Sequence, residues 1–145
     1  MSFRKALHSD LMAIEALLQA SNLPYEDCHK HLSQFLVYEE DEHIFGVGGA
    51  ELYGDVALLR SIAIHPEHRG QGLGQAIFLG LKAHIQHNAI KSLYLLTNTA
   101  ETYFHSLGFM QVMRENVPAA IKQTEQFSSL CPDSATVMVL KLKNA

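Results

Sequence analysis

The residue types with the most chemical promise lie in one stretch, Leu58-Leu59-Arg60-Ser61-Ile62-Ala63-Ile64-His65-Pro66-Glu67-His68-Arg69-Gly70-Gln71-Gly72-Leu73-Gly74. An apolar run with one arginine leads through His-Pro into glycines at alternate positions. Glycine accepts left-handed backbone and leaves N–H groups unobstructed. A helix starting directly afterwards adds unpaired N–H groups and the positive end of its dipole. That combination cradles a phosphate or pyrophosphate, with Arg69 adding charge at the rim. The Walker pattern Gly-x-x-x-x-Gly-Lys-Ser/Thr is absent. The dinucleotide fingerprint fails too: Gln75 stands at its third glycine, and residues 91–97 lack the acidic ribose partner.

The elements around this loop follow from hydrophobic period. Ser9-Asp10 predicts the cap of a helix with Leu11, Ile14, Leu17 and Leu18 on one face. Asn22-Leu23-Pro24 breaks it, and a second short helix is expected through Cys28 and Leu32. Strands are expected from Phe35 to Tyr38, from His43 to Leu52 and from Val56 to Ile64, with Glu39–Glu42 and Tyr53-Gly54-Asp55 as the turns. From Gly72 the period becomes helical to about Asn88 through Leu73, Ala76, Ile77, Leu81 and Ile85. Ser92–Thr97 then reads as a strand, Ala100–Ser106 as a short helix stopped by Gly108, and Phe109–Val112 as another strand. A polar, partly helical insertion covers about Asn116–Ser129, and Thr136–Leu142 closes as a strand. The expected class is a mixed α/β sheet.

Composition narrows the function classes. A chain of 145 residues with 48% hydrophobic and 18% charged side chains fits one domain, 1–145, with enough apolar content to avoid disorder. No run of about 18 apolar residues is present, so no membrane span is expected. Cys28 and Cys131 make neither a ligand pair nor a disulfide framework, and a cytoplasmic setting is expected. The formal charge of −4 argues against a nucleic-acid partner. Residues 1–59 carry most of the acidic side chains and residues 60–145 are net basic, which suits an anionic ligand held by the second half. The acidic turn Glu39-Glu40-Asp41-Glu42 alone accounts for much of that asymmetry.

Arg69-x-x-Gly72-x-Gly74 after a strand ending in His65-Pro66 resembles the pyrophosphate loop of the GNAT superfamily of N-acetyltransferases. A second segment, Thr97 to Phe109, resembles the superfamily's C-terminal motif: Ala100, Gly108 and Phe109 align, while Thr97 replaces an Asn and Phe104 replaces a Tyr. Segments such as Glu51-x-Tyr53-Gly54-Asp55 and Val117-Pro118-Ala119-Ala120-Ile121 are similar to the branch encoded in arsenic-resistance clusters. Leu95-Leu96-Thr97 with Phe104 is similar to the acetyltransferase domain of N-acetylglutamate synthases.

The resemblance implies a mostly antiparallel sheet of about six or seven strands flanked by about four helices. It implies acetyl-CoA as cosubstrate without a metal, a small amino-acid-like amine as acceptor, and a homodimer as the candidate assembly. Ile62, Ala63 and Ile64 would pair with the pantetheine, with a backbone N–H near Ile62 facing the thioester oxygen. Arg69, Gly70, Gln71, Gly72, Leu73, Gly74 and Gln75 would hold the pyrophosphate, and Thr97 and Phe104 would line the coenzyme's site. Two other readings remain open: an acyl-CoA sensor without efficient catalysis, and acetylation of a protein or peptide amine.

The side-chain chemistry is less determined. Where relatives carry a glutamate in this strand, Arg60 stands here and could bind an acceptor's carboxylate in two-pronged fashion, or form an ion pair. Glu51 is the nearest carboxylate as general base. A symmetric turn at Tyr53-Gly54-Asp55 would put Glu51 and Arg60 on opposite faces unless a bulge shifts the register. Phe104 lacks the hydroxyl that would protonate the leaving thiolate, and Tyr103 lies about 100° away on a helix. His29-x-His31, His65-x-x-His68 and His84-x-x-His87 lack a third ligand at metal-site spacing, and His84 and His87 are expected to face solvent. Cys131 is a candidate thiol in an acceptor pocket.

Overall fold

The computed structural model describes residues 2–130 and 134–142. Its strands are β1 (Ser2–Lys5), β2 (Phe35–Glu40), β3 (His43–Tyr53), β4 (Val56–Ile64), β5 (Ser92–Thr97), β6 (Met110–Gln111) and β7 (Thr136–Lys141). Four α-helices lie among the described residues: α1 (Leu11–Ala20), α2 (Leu73–Gln86), α3 (Glu101–Ser106) and α4 (Ala119–Lys122). The strand order is β1-β2-β3-β4-β5-β7-β6. The β1–β2, β2–β3, β5–β7 and β6–β7 ladders are antiparallel, and β4 runs parallel to β5. This is the mixed, mostly antiparallel architecture expected.

The chain forms two compact units. One comprises Met1–Glu51 and Arg60–His84, the other Leu52–Leu59 and Ile85–Ala145. In the first, α1 buries Ile14, Leu17 and Leu18 against Cys28, Phe35, Val37, Val47 and Ala63. Each fully buried aliphatic side chain contributes about 1.5–3 kcal/mol. In place of the expected second helix, Cys28–Lys30 and Leu32–Gln34 form two single turns of 3-10 helix. The first strand, β1, pairs antiparallel with β2 and was not foreseen.

In the second unit, Leu58, Tyr94, Val117, Ile121 and Val137 pack together. The insertion before β7 therefore covers one face of its sheet. β4 pairs with β5 over Val56–Leu58 and Ser92–Tyr94 only, so residues 60–64 lie beyond that ladder.

Two glycines decide how close the layers of the first unit come. A Cβ on Gly48 would stand 2.4 Å from the Ile77 side chain of α2. On the other face, a Cβ on Gly49 would meet the Phe35 ring at 2.2 to 2.5 Å. Phe35 lies directly opposite Gly49 in the β2–β3 ladder, so its ring lies across the position where a side chain would stand.

Gly49→Ala should therefore overpack this row and destabilise the protein by about 1–3 kcal/mol. Gly54→Ala in the β3–β4 turn meets nothing within 4 Å but keeps a φ of 65°, and should cost about 1 kcal/mol. Denaturant midpoints of the two variants check the order; a Gly49 variant as stable as the parent would contradict it.

Candidate active site

β3 ends at Tyr53 and β4 begins at Val56, so the turn has two residues, Gly54 and Asp55, and not the expected three. Counting back from that turn sets Arg60 opposite Gly49, and Glu51, two residues along β3, shares its face. The structure brings the two side chains together: Arg60 Nη1 donates to Glu51 Oε2 at 2.7 Å. The expected placement on opposite faces is corrected by the shorter turn.

Arg60 also makes a two-pronged pair with Asp27, Nη1 to Oδ2 at 2.7 Å and Nη2 to Oδ1 at 2.5 Å. Its Nε donates to Ser61 Oγ at 2.9 Å. The guanidinium lies 5.7 Å from the centre of the Phe35 ring, in the space that Gly49 leaves open. His31 completes the group, its Nε2 at 3.7 Å from Asp27 and 3.6 Å from Glu51.

The Arg60, Asp27 and Glu51 side chains are 0%, 1% and 2% exposed, and His31 is 24% exposed. Only His31 of the four reaches solvent appreciably. Asp27, His31 and Glu51 offer ligand atoms within 4.8 Å of one another, a grouping of metal-ligating types that spacing along the chain did not reveal. Arg60 shares the carboxylates of two of them.

These contacts replace the expectation that Arg60 meets an acceptor's carboxylate. Its side chain has no exposed surface, and its Nε, Nη1 and Nη2 each donate to Asp27, Glu51 or Ser61. Glu51, expected as a base, is bound by that same guanidinium. Asp27 was missed: it lies 33 residues from Arg60 on a polar segment with no periodic signal.

Burial pushes the Asp27 carboxyl up, but the Arg60 hydrogen bond and charge pull harder and hold it below the usual carboxylate range. Burial likewise works against the Arg60 charge, yet Asp27 and Glu51 raise its pKa above the ordinary value. Cys28 is a buried free thiol, pushed up to about 11 chiefly by burial.

Ser61 stands at a break in β4. Its φ is 61°, left-handed backbone inside a strand. Farther along, the His65 N–H donates to the Phe45 carbonyl at 2.7 Å, one residue out of step with the count from the turn. β4 therefore carries a bulge here, and bulges insert one unpaired residue. The Arg60 and Ser61 side chains consequently share a face. Ile62 and Ile64 point instead toward Gly48 and Gly46 and α2, while Ala63 joins the α1 core.

The loop that follows is ordered by short contacts. His65 Nδ1 accepts from the Glu67 N–H and caps the Pro66–His68 turn. Arg69 Nε donates to the Ile64 carbonyl at 3.1 Å, folding its side chain back to the strand end. Gly70 and Gly72 have φ of 80° and 78°, so both use the conformation that favours glycine, whereas Gly74 lies within α2. The first α2 hydrogen bond runs from Ala76 N–H to the Gly72 carbonyl. The N–H groups of Leu73, Gly74 and Gln75 thus belong to the helix's first turn, where donors lack intrahelical partners.

In the second unit, Thr97 Oγ1 accepts from the Ala100 N–H at the start of α3. The Phe104 ring meets Phe109 edge-on at 5.7 Å and Tyr103 at 5.2 Å. Tyr103 is 42% exposed. His84 departs from the solvent-facing expectation: it is half-buried, with Nε2 at 2.6 Å from Gln34 Oε1, whereas His87 is exposed. Cys131 lies outside the described residues.

The sequence pattern of the acetyltransferase (GNAT) domain family matches residues 31–111, which include His31, Glu51 and Arg60 of the cluster but not Asp27, together with the bulge and the glycine loop. The chain belongs to the GNAT acetyltransferase family. An amino-acid acetyltransferase of Vibrio cholerae is 26% identical over 99 residues, 67% of this chain and 22% of that protein. The stretches matched cover only 30% and 22% of the lengths of the first curated relatives, a Bacillus subtilis protein and the Vibrio cholerae protein.

Among solved structures, N-acetylglutamate synthase from Neisseria gonorrhoeae, complexed with coenzyme A and N-acetyl-glutamate, superposes with a TM-score of 0.84. It is 19% identical over 98% of this chain and 35% of that one. A ribosomal-protein-alanine N-acetyltransferase from Escherichia coli gives a TM-score of 0.70 at 19% identity, over 99% and 95% of the two chains. These likenesses establish the GNAT fold. No helix among the described residues is long and apolar enough to cross a membrane.

The ion pair at Arg60 generates a signed expectation. With its folded value below the ordinary Asp value of about 3.9, Asp27 contributes stability above that pH. The contribution is lost as pH falls through the lowered folded value, because the unfolded chain then binds the proton more readily. Asp27→Asn should destabilise by about 3 kcal/mol at neutral pH, the low end for breaking a buried pair because Glu51 stays. It should also flatten the acid limb of the stability–pH curve. Stability curves of parent and variant from pH 7 to pH 2 measure both effects.

Proposed function

We propose that this chain is an acetyl-CoA-dependent N-acetyltransferase acting by direct transfer on the primary amine of a small, amino-acid-like acceptor. The observation that carries the reading is the family match across a strand, bulge, loop and helix, with Gly70 and Gly72 in the left-handed backbone a phosphate cradle needs. In this reading the coenzyme's pyrophosphate lies on main-chain N–H groups of residues 70–75, with Arg69 at the rim. The pantetheine runs along Ile62, Ala63 and Ile64, where β4 has passed the end of its ladder with β5.

The amine nitrogen bonds to the acetyl carbon, giving a tetrahedral oxyanion that the Ile62 N–H would stabilise. The carbon–sulfur bond then breaks, the nitrogen gives up a proton, and the departing thiolate gains one. Phe104 offers no hydroxyl for that last step, so water or another side chain supplies the proton. The amino-acid-like acceptor draws support from the amino-acid acetyltransferase of Vibrio cholerae and the synthase of Neisseria gonorrhoeae. A peptide amine draws support from the Escherichia coli structure.

Thiol release from acetyl-CoA, screened against free amino acids and short peptides, separates these acceptors. Release with neither class, alongside intact coenzyme A binding, would favour the sensor. Gly72→Asp should abolish coenzyme A binding in calorimetry while the protein stays folded: the new side chain meets open space, its φ of 78° costs only about 1–2 kcal/mol, and it adds negative charge at the cradle. Unchanged affinity in a folded variant would refute the cradle. Tyr103→Phe should lower kcat by less than about tenfold, below the loss expected for a general acid. Steady-state kinetics decide this.

A further inference from the structure

Five non-glycine residues among those described have positive φ: Asn22, Asp41, Glu42, Ser61 and Ala89. Four lie in turns, and only Ser61 lies inside a strand. A side chain in left-handed backbone is strained, and such strain persists where surrounding contacts over-determine it. The contact is visible here. Arg60 Nε donates to Ser61 Oγ at 2.9 Å, and the same guanidinium is held by Asp27 and Glu51. Arginine suits this task because its donors are fixed in one plane. Nη1 and Nη2 take the two carboxylates while Nε reaches the neighbouring hydroxyl.

We propose that Arg60 is a positioning residue: through Ser61 Oγ it holds the left-handed bulge that turns the Ile62 N–H out of the β4 ladder, with Asp27 and Glu51 fixing the guanidinium. The inference rests on the acetyltransferase reading for its catalytic consequence. The buried ion cluster thereby acts on the reaction without touching the acceptor, through backbone geometry one residue away.

Ser61→Ala removes the hydroxyl and keeps the left-handed strain; Ser61→Gly removes the hydroxyl and adopts the conformation freely. The Ala variant should lose kcat by about tenfold or more, the scale of a weakened oxyanion donor, with acceptor KM little changed. The Gly variant should recover most of that loss. Arg60→Lys, whose single ammonium cannot serve both carboxylates and the hydroxyl, should match Ser61→Ala in the parent and cost little further kcat in the Ser61→Gly background.

Equal kcat for the Ala and Gly variants, or a lower value for Gly, would overturn the proposal, and so would a full Arg60→Lys loss on the Gly background. Should Arg60→Lys fail to fold, the two Ser61 variants decide. Amide exchange at Ile62 gives a readout independent of turnover: it should change in Ser61→Ala and return to the parent's in Ser61→Gly. If the parent releases no thiol with any amine, the acetyltransferase reading fails. The exchange pattern then decides positioning alone, and identical exchange in both Ser61 variants would reject it.

Discussion

A guanidinium with no exposed side-chain surface needs its hydration replaced in full, and in this protein the replacement organises the first unit. Two carboxylates and a hydroxyl supply the hydrogen bonds, and Phe35 supplies a polarisable face. Desolvating an unpaired ion costs several kcal/mol, so such a charge is retained only with close partners. Each partner comes from a different segment. Asp27 belongs to the stretch after α1, Glu51 to β3, and Ser61 to β4. The requirement to surround one cation therefore fixes three pieces of chain against one another.

Space for that cation depends on absences in the side-chain pattern. Gly49 lets the Phe35 ring lie across β3, and Gly48 lets Ile77 and Leu81 of α2 approach the opposite face. Consecutive glycines in a strand weaken it by themselves. Here each exchanges a side chain for close packing of a neighbouring element. The bulge at Ser61 follows from the same crowding of functions: it brings the Ser61 hydroxyl to the Arg60 face while Ile62 remains directed at α2.

Much of the fold was legible because its signals are local. β4 and β5 have the boundaries that their apolar runs implied, and α2 ends two residues before the expected Asn88. β1 was not legible, since Ser2–Lys5 is four residues long and has only Phe3 as an apolar member. The predicted helix through Cys28 and Leu32 became two 3-10 turns because contacts to Arg60 and the core outweigh a weak helical period. The β3–β4 turn shows how sensitive register is to loop length. One residue fewer in the turn moved Glu51 from the far face of the sheet to a hydrogen bond with Arg60.

Within the candidate site, legibility divides by the kind of contact. A phosphate cradle uses main-chain N–H groups of consecutive residues, so its requirement for left-handed backbone is written as glycines a fixed distance apart. Gly70 and Gly72 take that conformation. The Arg60 cluster uses side chains whose partners lie 9 and 33 residues away. No spacing rule links Asp27 to Arg60; only closure of the sheet against the segment after α1 brings them together. Arg60 alone, seen in sequence, is an unpaired charge in an apolar strand, and such a charge must find either a ligand or a buried counter-ion. The geometry supplies the counter-ions. The arginine's influence on chemistry must then pass through what it holds, the backbone at Ser61, rather than through a substrate it would touch.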